Sequence, residues 1–342
     1  MMNVRIPTAL LALSLVMGCS TELDVNAPYK NITIVYGLLS TADAGDVHYI
    51  KINKAFLGDG DAYVFAQVPD SNLYPYDQLH AKMVRLIDNY TVDLDTVHVP
   101  NRDPGTFYGP DQVLYKYSAP LDVNSTYKLI IDVKDQHVEA TTPIVGEVIP
   151  ISNYLTNQGS GANLFQAGQY KEPSLKFRSA ANGKRYDVSF EFRYRNVHTG
   201  ADTSGVISIK RKVGSVITTS TAGNQQLELT FSGEDFFQSI ANAVPVDPSV
   251  IKRLVDGMSM IFEVAGEEFN TYLSLAEPVS GIIEERPDYT NVTNGYGLFS
   301  SRKVDIATLR INDDSKLELV EGYYTGSLLF CFPGSSGAIG CN

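Results

Sequence analysis

The sequence predicts a mainly β protein made of two sheet-rich units. Short runs rich in Val, Ile, Thr and Tyr recur along the chain, separated by Gly, Asn, Asp and Pro. From Arg185 to Arg195 the alternation is complete. Tyr186, Val188, Phe190, Phe192 and Tyr194 fall on one face, and Arg185, Asp187, Ser189, Glu191, Arg193 and Arg195 on the other. That is the pattern of a half-buried antiparallel strand. Finally, 342 residues at 44% hydrophobic and 19% charged suffice for two cores, at about 100–200 residues per domain.

Residues 1–18 read as a leader. Arg5 supplies the positive end, and Ala9–Met17 is apolar. Such a run is too short for a helix crossing a ~30 Å hydrocarbon layer and suits a signal-peptide core. Val16-Met17-Gly18-Cys19 follows and resembles the bacterial lipobox, in which the cysteine thiol takes a diacylglycerol. Cleavage there leaves 324 residues and, with Arg5 gone, a charge of −13 in place of −12. Residue 20 is Ser, not Asp, so the enterobacterial inner-membrane retention signal is missing. The expected location is the outer membrane, lipid-anchored at Cys19 and surface-exposed, with residues 19–28 as tether.

The first unit is expected over 29–145 as an immunoglobulin- or fibronectin-like sandwich. Its strands are Ile32–Leu39, Val47–Lys54, Lys82–Asp88, Thr91–Val99, Val113–Tyr117, Tyr127–Val133 and His137–Thr142. Asp61–Gln67 reads as a short inserted helix, and Asp88-Asn89-Tyr90 and Lys134-Asp135-Gln136 as turns. Thr142-Pro143 and Val148-Ile149-Pro150 mark the boundary. The second unit, 146–342, is expected to be β-rich with short helices. Residues 152–172, rich in Asn, Gln, Gly and Ser, read as a surface loop. Strands follow at Arg185–Arg195, Gly205–Val213, Leu227–Phe231, Met258–Val264 and Arg302–Ile311. Helices are expected at Gly233–Ala243, starting near Ser232, and at Glu267–Leu275, with acids in its first turn.

Two stretches carry a family resemblance. One is Thr33–Ser40 with Val47–Leu57. The other runs from Phe269-Asn270-Thr271-Tyr272-Leu273-Ser274-Leu275 to Tyr289-Thr290-Asn291-Val292-Thr293-Asn294-Gly295-Tyr296-Gly297-Leu298-Phe299-Ser300. Together they resemble uncharacterised Bacteroidetes outer-membrane lipoproteins, often encoded near TonB-dependent receptors. The resemblance implies a β-rich lipoprotein and brings no catalytic residues.

Chemistry-bearing motifs are sparse. His48, His80, His98, His137 and His198 show no zinc-site spacing, and those in or beside strands read as ordinary edge or surface histidines. Gly58-Asp59-Gly60-Asp61 lacks the later acids of a calcium loop. Asn294-Gly295-Tyr296-Gly297 reads as a turn presenting Leu298 and Phe299 to a core, not as a phosphate cradle, because strand and not helix follows. No catalytic residue, cofactor or metal site is expected. Cys331 and Cys341 flank a Pro-Gly-Ser-Ser-Gly loop and are expected to pair in a disulfide.

A sequence pI near 4.9 argues against broad nucleic-acid binding. Yet Lys171–Lys212 holds ten basic residues and four acidic. Arg185, Arg193, Arg195, Lys210 and Lys212 are expected on one hairpin face, a candidate surface for an anionic partner. Tyr63, Tyr74, Tyr76, Tyr108, Tyr115 and Tyr117 lie in or near the loops of the first unit. They are candidate sugar platforms in a chain that has no tryptophan. The expected function is non-enzymatic binding or accessory work, in support of a TonB-dependent uptake system, with glycan or lipopolysaccharide as candidate ligands. A structural or adhesin-like surface protein is the alternative, ahead of a glycan or peptide hydrolase.

Overall fold

The strands between residues 33 and 143 alternate inward and outward with a two-residue period, and they close a sandwich of two sheets. The computed structural model describes residues 32–55, 61–100, 103, 105–109, 112–156, 159–200, 202–277 and 288–341. The leader, the tether and Cys19 lie outside the described residues. The chain lays down β1 (Thr33–Leu39) and β2 (Val47–Lys54), then helices α1 (Ala62–Ala66) and α2 (Pro69–Asn72). Six strands follow: β3 (Leu79–Arg85), β4 (Tyr90–Asp93), β5 (Asp95–Val99), β6 (Gln112–Ser118), β7 (Thr126–Val133) and β8 (Gln136–Pro143). One sheet runs β1-β2-β6-β5 and the other β8-β7-β3-β4. These are the A-B-E-D and G-F-C orders of an immunoglobulin sandwich, with one strand added beside C.

Val35, Ile50, Ile52 and Tyr117 from the first sheet meet Met83, Leu129, Ile131 and Val138 from the second in one core. Each fully buried aliphatic side chain contributes roughly 1.5–3 kcal/mol. Tyr127, also fully buried, accepts a hydrogen bond at its Oη from the Asp122 amide at 2.8 Å. This ties the start of β7 to the loop before it, as the tyrosine corner of immunoglobulin folds does.

The second sandwich comprises β9 (Ile149–Pro150), the small hairpin β10 (Phe165–Gln166) and β11 (Gln169–Tyr170), β12 (Ser174–Arg178), β13 (Arg185–His198), β14 (Ile207–Ile217), β15 (Gln226–Thr230) and β16 (Val250–Ala265). Helix α3 (Gly233–Ala243) precedes β16 and α4 (Glu267–Ala276) follows it. The sheet β15-β12-β9 packs over β14-β13-β16. Helix α3 starts at Ser232, whose hydroxyl accepts from the Asp235 amide. Its Phe236, Phe237 and Ile240, three to four residues apart, bury one face in the core.

The chain then returns to the first sandwich. β17 (Val292–Thr293) pairs with β8, and β18 (Gly295–Thr308) joins both units. Its first half runs parallel to β1, from Thr33↔Gly295 to Leu39↔Ser301. Its second half runs antiparallel to β16, from Ala265↔Arg302 to Ser259↔Thr308. The result is one continuous sheet, β14-β13-β16-β18-β1-β2-β6-β5. Gly297 makes the close approach to β1 possible. It has φ +114°, and a Cβ there would stand 1.9 Å from the Val35 carbonyl oxygen. Helix α5 (Asp313–Glu321) and β19 (Phe330–Cys331), parallel to β16, complete the chain.

Several expectations shift. The unit expected over 146–342 does not stay by itself: Val292 and Phe299 belong to the first core. The single strand expected at Thr91–Val99 is two. β4 pairs with β3 and β5 with β6, and between them the Leu94 amide donates to the Ala81 carbonyl as the chain changes sheets. Residues 152–172 are not simply a surface loop, because Tyr154, Leu155, Ala162 and Leu164 are buried in the second core. His48 is no surface histidine either. It is 1% exposed, 3.1 Å from the Asp43 carboxylate through Nδ1, and stacked on Tyr117.

Candidate functional site

Two adjoining clefts flank the end of the first sandwich where β2 stops and β6 starts. The outer cleft, about 360 Å³, lies on the solvent side of the β1–β2–β6 sheet. The mouth cleft, about 590 Å³, opens onto the core between the sheets. Lys54, Pro69, Leu73, Tyr108 and Val113 form the wall common to both.

That wall is built by local chemistry. Asp61 caps α1 by accepting the Tyr63 amide at 2.8 Å, and Pro69 opens α2 at a position that needs no amide hydrogen. The Asn72 side chain donates to the carbonyls of Ala66 (3.1 Å) and Val68 (3.0 Å), which pins the two helices together. The Asn72 backbone carbonyl accepts from the Asn53 side-chain amide on β2 at 3.2 Å. The Gln67 side chain donates to the Gly105 and Thr106 carbonyls, and the Tyr108 amide donates to Ala66. The Gly105–Tyr108 loop is thereby held against the helices.

Strand alternation sets the floor of the outer cleft. On β1, Ile34 and Tyr36 face outward while Val35 and Leu39 go to the core. Tyr36 is in register with Lys51, and Ile34 with Asn53. Burial, with Tyr272 and Asp288 nearby, raises the Tyr36 phenol above its ordinary value.

The mouth cleft is lined by Tyr74, Tyr76, Tyr108 and Tyr115, with His98 and Asp70. The Tyr74 hydroxyl lies 2.9 Å from that of Thr33 on β1. The Tyr76 hydroxyl is 2.8 Å from His98 Nε2. Burial pushes the Tyr115 phenol up to about 12, with smaller contributions from Tyr76 and Tyr74. Of the six tyrosines singled out in the sequence, these four gather here. Tyr117 is instead a core residue packed edge-on against Tyr127, and Tyr63 is exposed. Lys54, Leu73 and Ile34 were not apparent as site residues. The one signal was the run Ile32–Leu39, apolar at outward as well as inward positions, which places a strand there without marking its outer face as a site.

The basic hairpin face exists, but its charges are matched. Arg185 contacts Asp187 (3.1 Å) and Glu277 (2.6 Å), and Arg193 contacts Glu191 (2.6 Å). Arg195 meets Asp256 at 3.0 Å, Lys210 meets Glu263 at 3.0 Å, and Lys212 meets Asp187 at 2.8 Å. A hydrogen bond from Ser208 and then one from Arg193 hold the Glu191 carboxyl below its ordinary value, against the opposing effect of burial. The anionic-partner reading loses its basis, because the sequence count omitted acids that β16 and α4 bring in. β14 is the edge of the long sheet, and Lys210-Arg211-Lys212 on it suits protection of that edge from strand pairing with other chains.

Cys331 and Cys341 are joined in a disulfide. Inside the loop it closes, the Phe332 amide donates to the Ile339 carbonyl at 2.8 Å. Of the Gly58–Asp61 stretch only Asp61 is described, as the α1 cap. Among the described residues no group of three or more His, Cys, Asp or Glu is placed to hold a metal ion. No described helix is long and apolar enough to cross a membrane.

No family profile matches the chain, and no curated protein does. Among solved structures, the C-terminal globular domain of an oligosaccharyltransferase from Pyrococcus abyssi aligns over 84% of this chain at 9% identity, with a TM-score of 0.21. The alignment spans 52% of that structure's own chain. A likeness of that size carries no argument about this protein.

Proposed function

We propose that the chain is a lipid-anchored lipoprotein of the outer-membrane surface that binds a ligand without transforming it, in support of a TonB-dependent uptake system. The observation that carries the binding role is the pair of clefts. Four tyrosines, a histidine and a lysine converge beside an apolar hollow, on a wall tied down by side-chain hydrogen bonds. Concave sites with an apolar lining and a few placed polar groups are where small ligands bind. Phenol faces give platforms for sugar rings, and phenol hydroxyls donate to sugar oxygens. The anchor rests on Cys19 within Val16-Met17-Gly18-Cys19.

Affinity capture of the full-length chain from crosslinked outer membranes tests this reading. A TonB-dependent receptor is expected to accompany the wild type, and Cys19→Ala is expected to move the protein to the soluble fraction. A wild type that fractionates as soluble would overturn the anchor. Membranes that hold the anchored chain and yield no receptor would overturn the uptake role.

A further inference from the structure

We infer that the two clefts form one site for a single-tailed amphiphile with a singly anionic headgroup. This rests on the reading of the clefts as a binding site and names the ligand class. The two hollows differ in chemistry while sharing a wall. The outer one has an apolar wall of Ile34, Ala55, Leu73 and Phe107 beside the polar groups of Tyr36, Lys51 and Asn53, so most of its surface is hydrocarbon. At about 360 Å³ the hollow is large enough to take a single hydrocarbon tail. The mouth cleft is lined by the aromatic and polar side chains of Tyr76, Tyr115 and His98, a setting for a polar group.

Lys54 stands on the wall between them, half-buried, at the end of β2. It makes no ion pair among the described residues, unlike the five cations of the β13–β14 face. A partly desolvated ammonium outside any ion pair gains from an incoming anion. Asp70, an exposed carboxylate, lines the mouth cleft too, which favours a singly anionic head over a polyanionic one. A tail in the outer hollow and an anionic head beside Lys54, turned toward the tyrosines, use both compartments. A bare saccharide would leave the apolar wall of Ile34, Ala55, Leu73 and Phe107 uncovered.

The test titrates the full-length chain with dodecanoate, decanoate and octanoate below their micelle concentrations, beside dodecyl maltoside and maltose, by calorimetry. Affinity is expected to fall about fourfold per methylene removed. Lys54→Gln is expected to weaken dodecanoate about tenfold and to leave dodecyl maltoside within about twofold. Phe107→Ala, at an exposed loop position, is expected to weaken both tailed ligands and not maltose. A free acid and a membrane lipid share this chemistry. Binding to lysophosphatidylglycerol in phosphatidylcholine vesicles, set against dodecanoate in solution, identifies which of the two is taken, and either supports the assignment. Maltose binding without dodecanoate or lysophosphatidylglycerol binding would overturn the amphiphile and leave the binding role standing. Binding insensitive to tail length or to Lys54→Gln would also overturn it. No binding by any of these ligands would overturn both readings.

Discussion

Reducing the Cys331–Cys341 bond is expected to destabilise the second sandwich, and the loop it closes sets the size. The two cysteines are ten residues apart in sequence. Loop-closure entropy for a ring of that length gives about 2.7 kcal/mol at 25 °C. The bond holds the chain where it matters. Cys331 lies in β19 opposite Leu254 of β16, and the Lys252 ammonium donates to the Cys341 carbonyl at 3.3 Å. Phe330, beside the bond, packs edge-on against Phe192 and Tyr194 of the second core. At roughly 2–4 °C per kcal/mol for a unit of this size, the midpoint should fall by about 5–11 °C. Circular-dichroism melts with and without dithiothreitol measure the shift, with mass spectrometry confirming reduction. The double variant Cys331→Ala/Cys341→Ala should match the reduced wild type and ignore the reductant. A reduced chain that melts within about 1 °C of the oxidised one would refute the reasoning, because the ten-residue ring would then be contributing nothing.

Three further outcomes are expected. Tyr127→Phe leaves the Asp122 amide without its phenol partner and should cost about 1–2 kcal/mol in urea unfolding; an unchanged midpoint would show that the corner bond is dispensable. Gly297→Ala puts a Cβ 1.9 Å from the Val35 carbonyl oxygen at φ +114° and should cost about 3 kcal/mol or more, read by the same melts, whereas Tyr296→Ala on the exposed neighbour should stay within about 1 kcal/mol. Hydrogen bonds to Glu139 and then to Asp132 raise the His137 pKa above its ordinary 6.5. With the folded value raised, its contribution to stability is present below the ordinary value and fades as pH rises through the folded one. A titration of the His137 ring by NMR with a midpoint at or below 6.5 would contradict the observed contacts.

Legibility in the sequence followed how local each feature is. Arg185–Arg195 was readable because its alternation is set residue by residue, and α3 because Ser232 and the Phe236-Phe237-Ile240 spacing state both its start and its buried face. The pairing of β1 with β18 was not readable, since its partners lie some 260 residues apart and nothing local names one for the other. The basic cluster misled for the same reason. Its density was local, but the matching Glu263, Asp256 and Glu277 arrive from other elements. In the clefts, the tyrosines announced themselves by composition. Lys54 did not, because its place on the wall between the clefts, outside any ion pair among the described residues, comes only from the assembled fold.

The shared strand also bears on the site. Ile34 and Tyr36, the floor of the outer cleft, lie on β1, and β1 is held between β2 on one side and the first half of β18 on the other. Phe299 fills the first core directly beneath Gly37, where a Cβ would stand only 3.0 Å from its ring. A chain cut at residue 145 would leave β1 as an open edge and remove Phe299 and Val292 from the core that supports the floor. The immunoglobulin-type unit is therefore complete only when residues 292–301 return to it. The second sandwich acts as the frame that brings them there. It is covered by α3, closed by the Cys331–Cys341 bond, and guarded at its far edge by Lys210-Arg211-Lys212. On this account the ligand contacts sit in the first sandwich, while the geometry of their floor depends on the second.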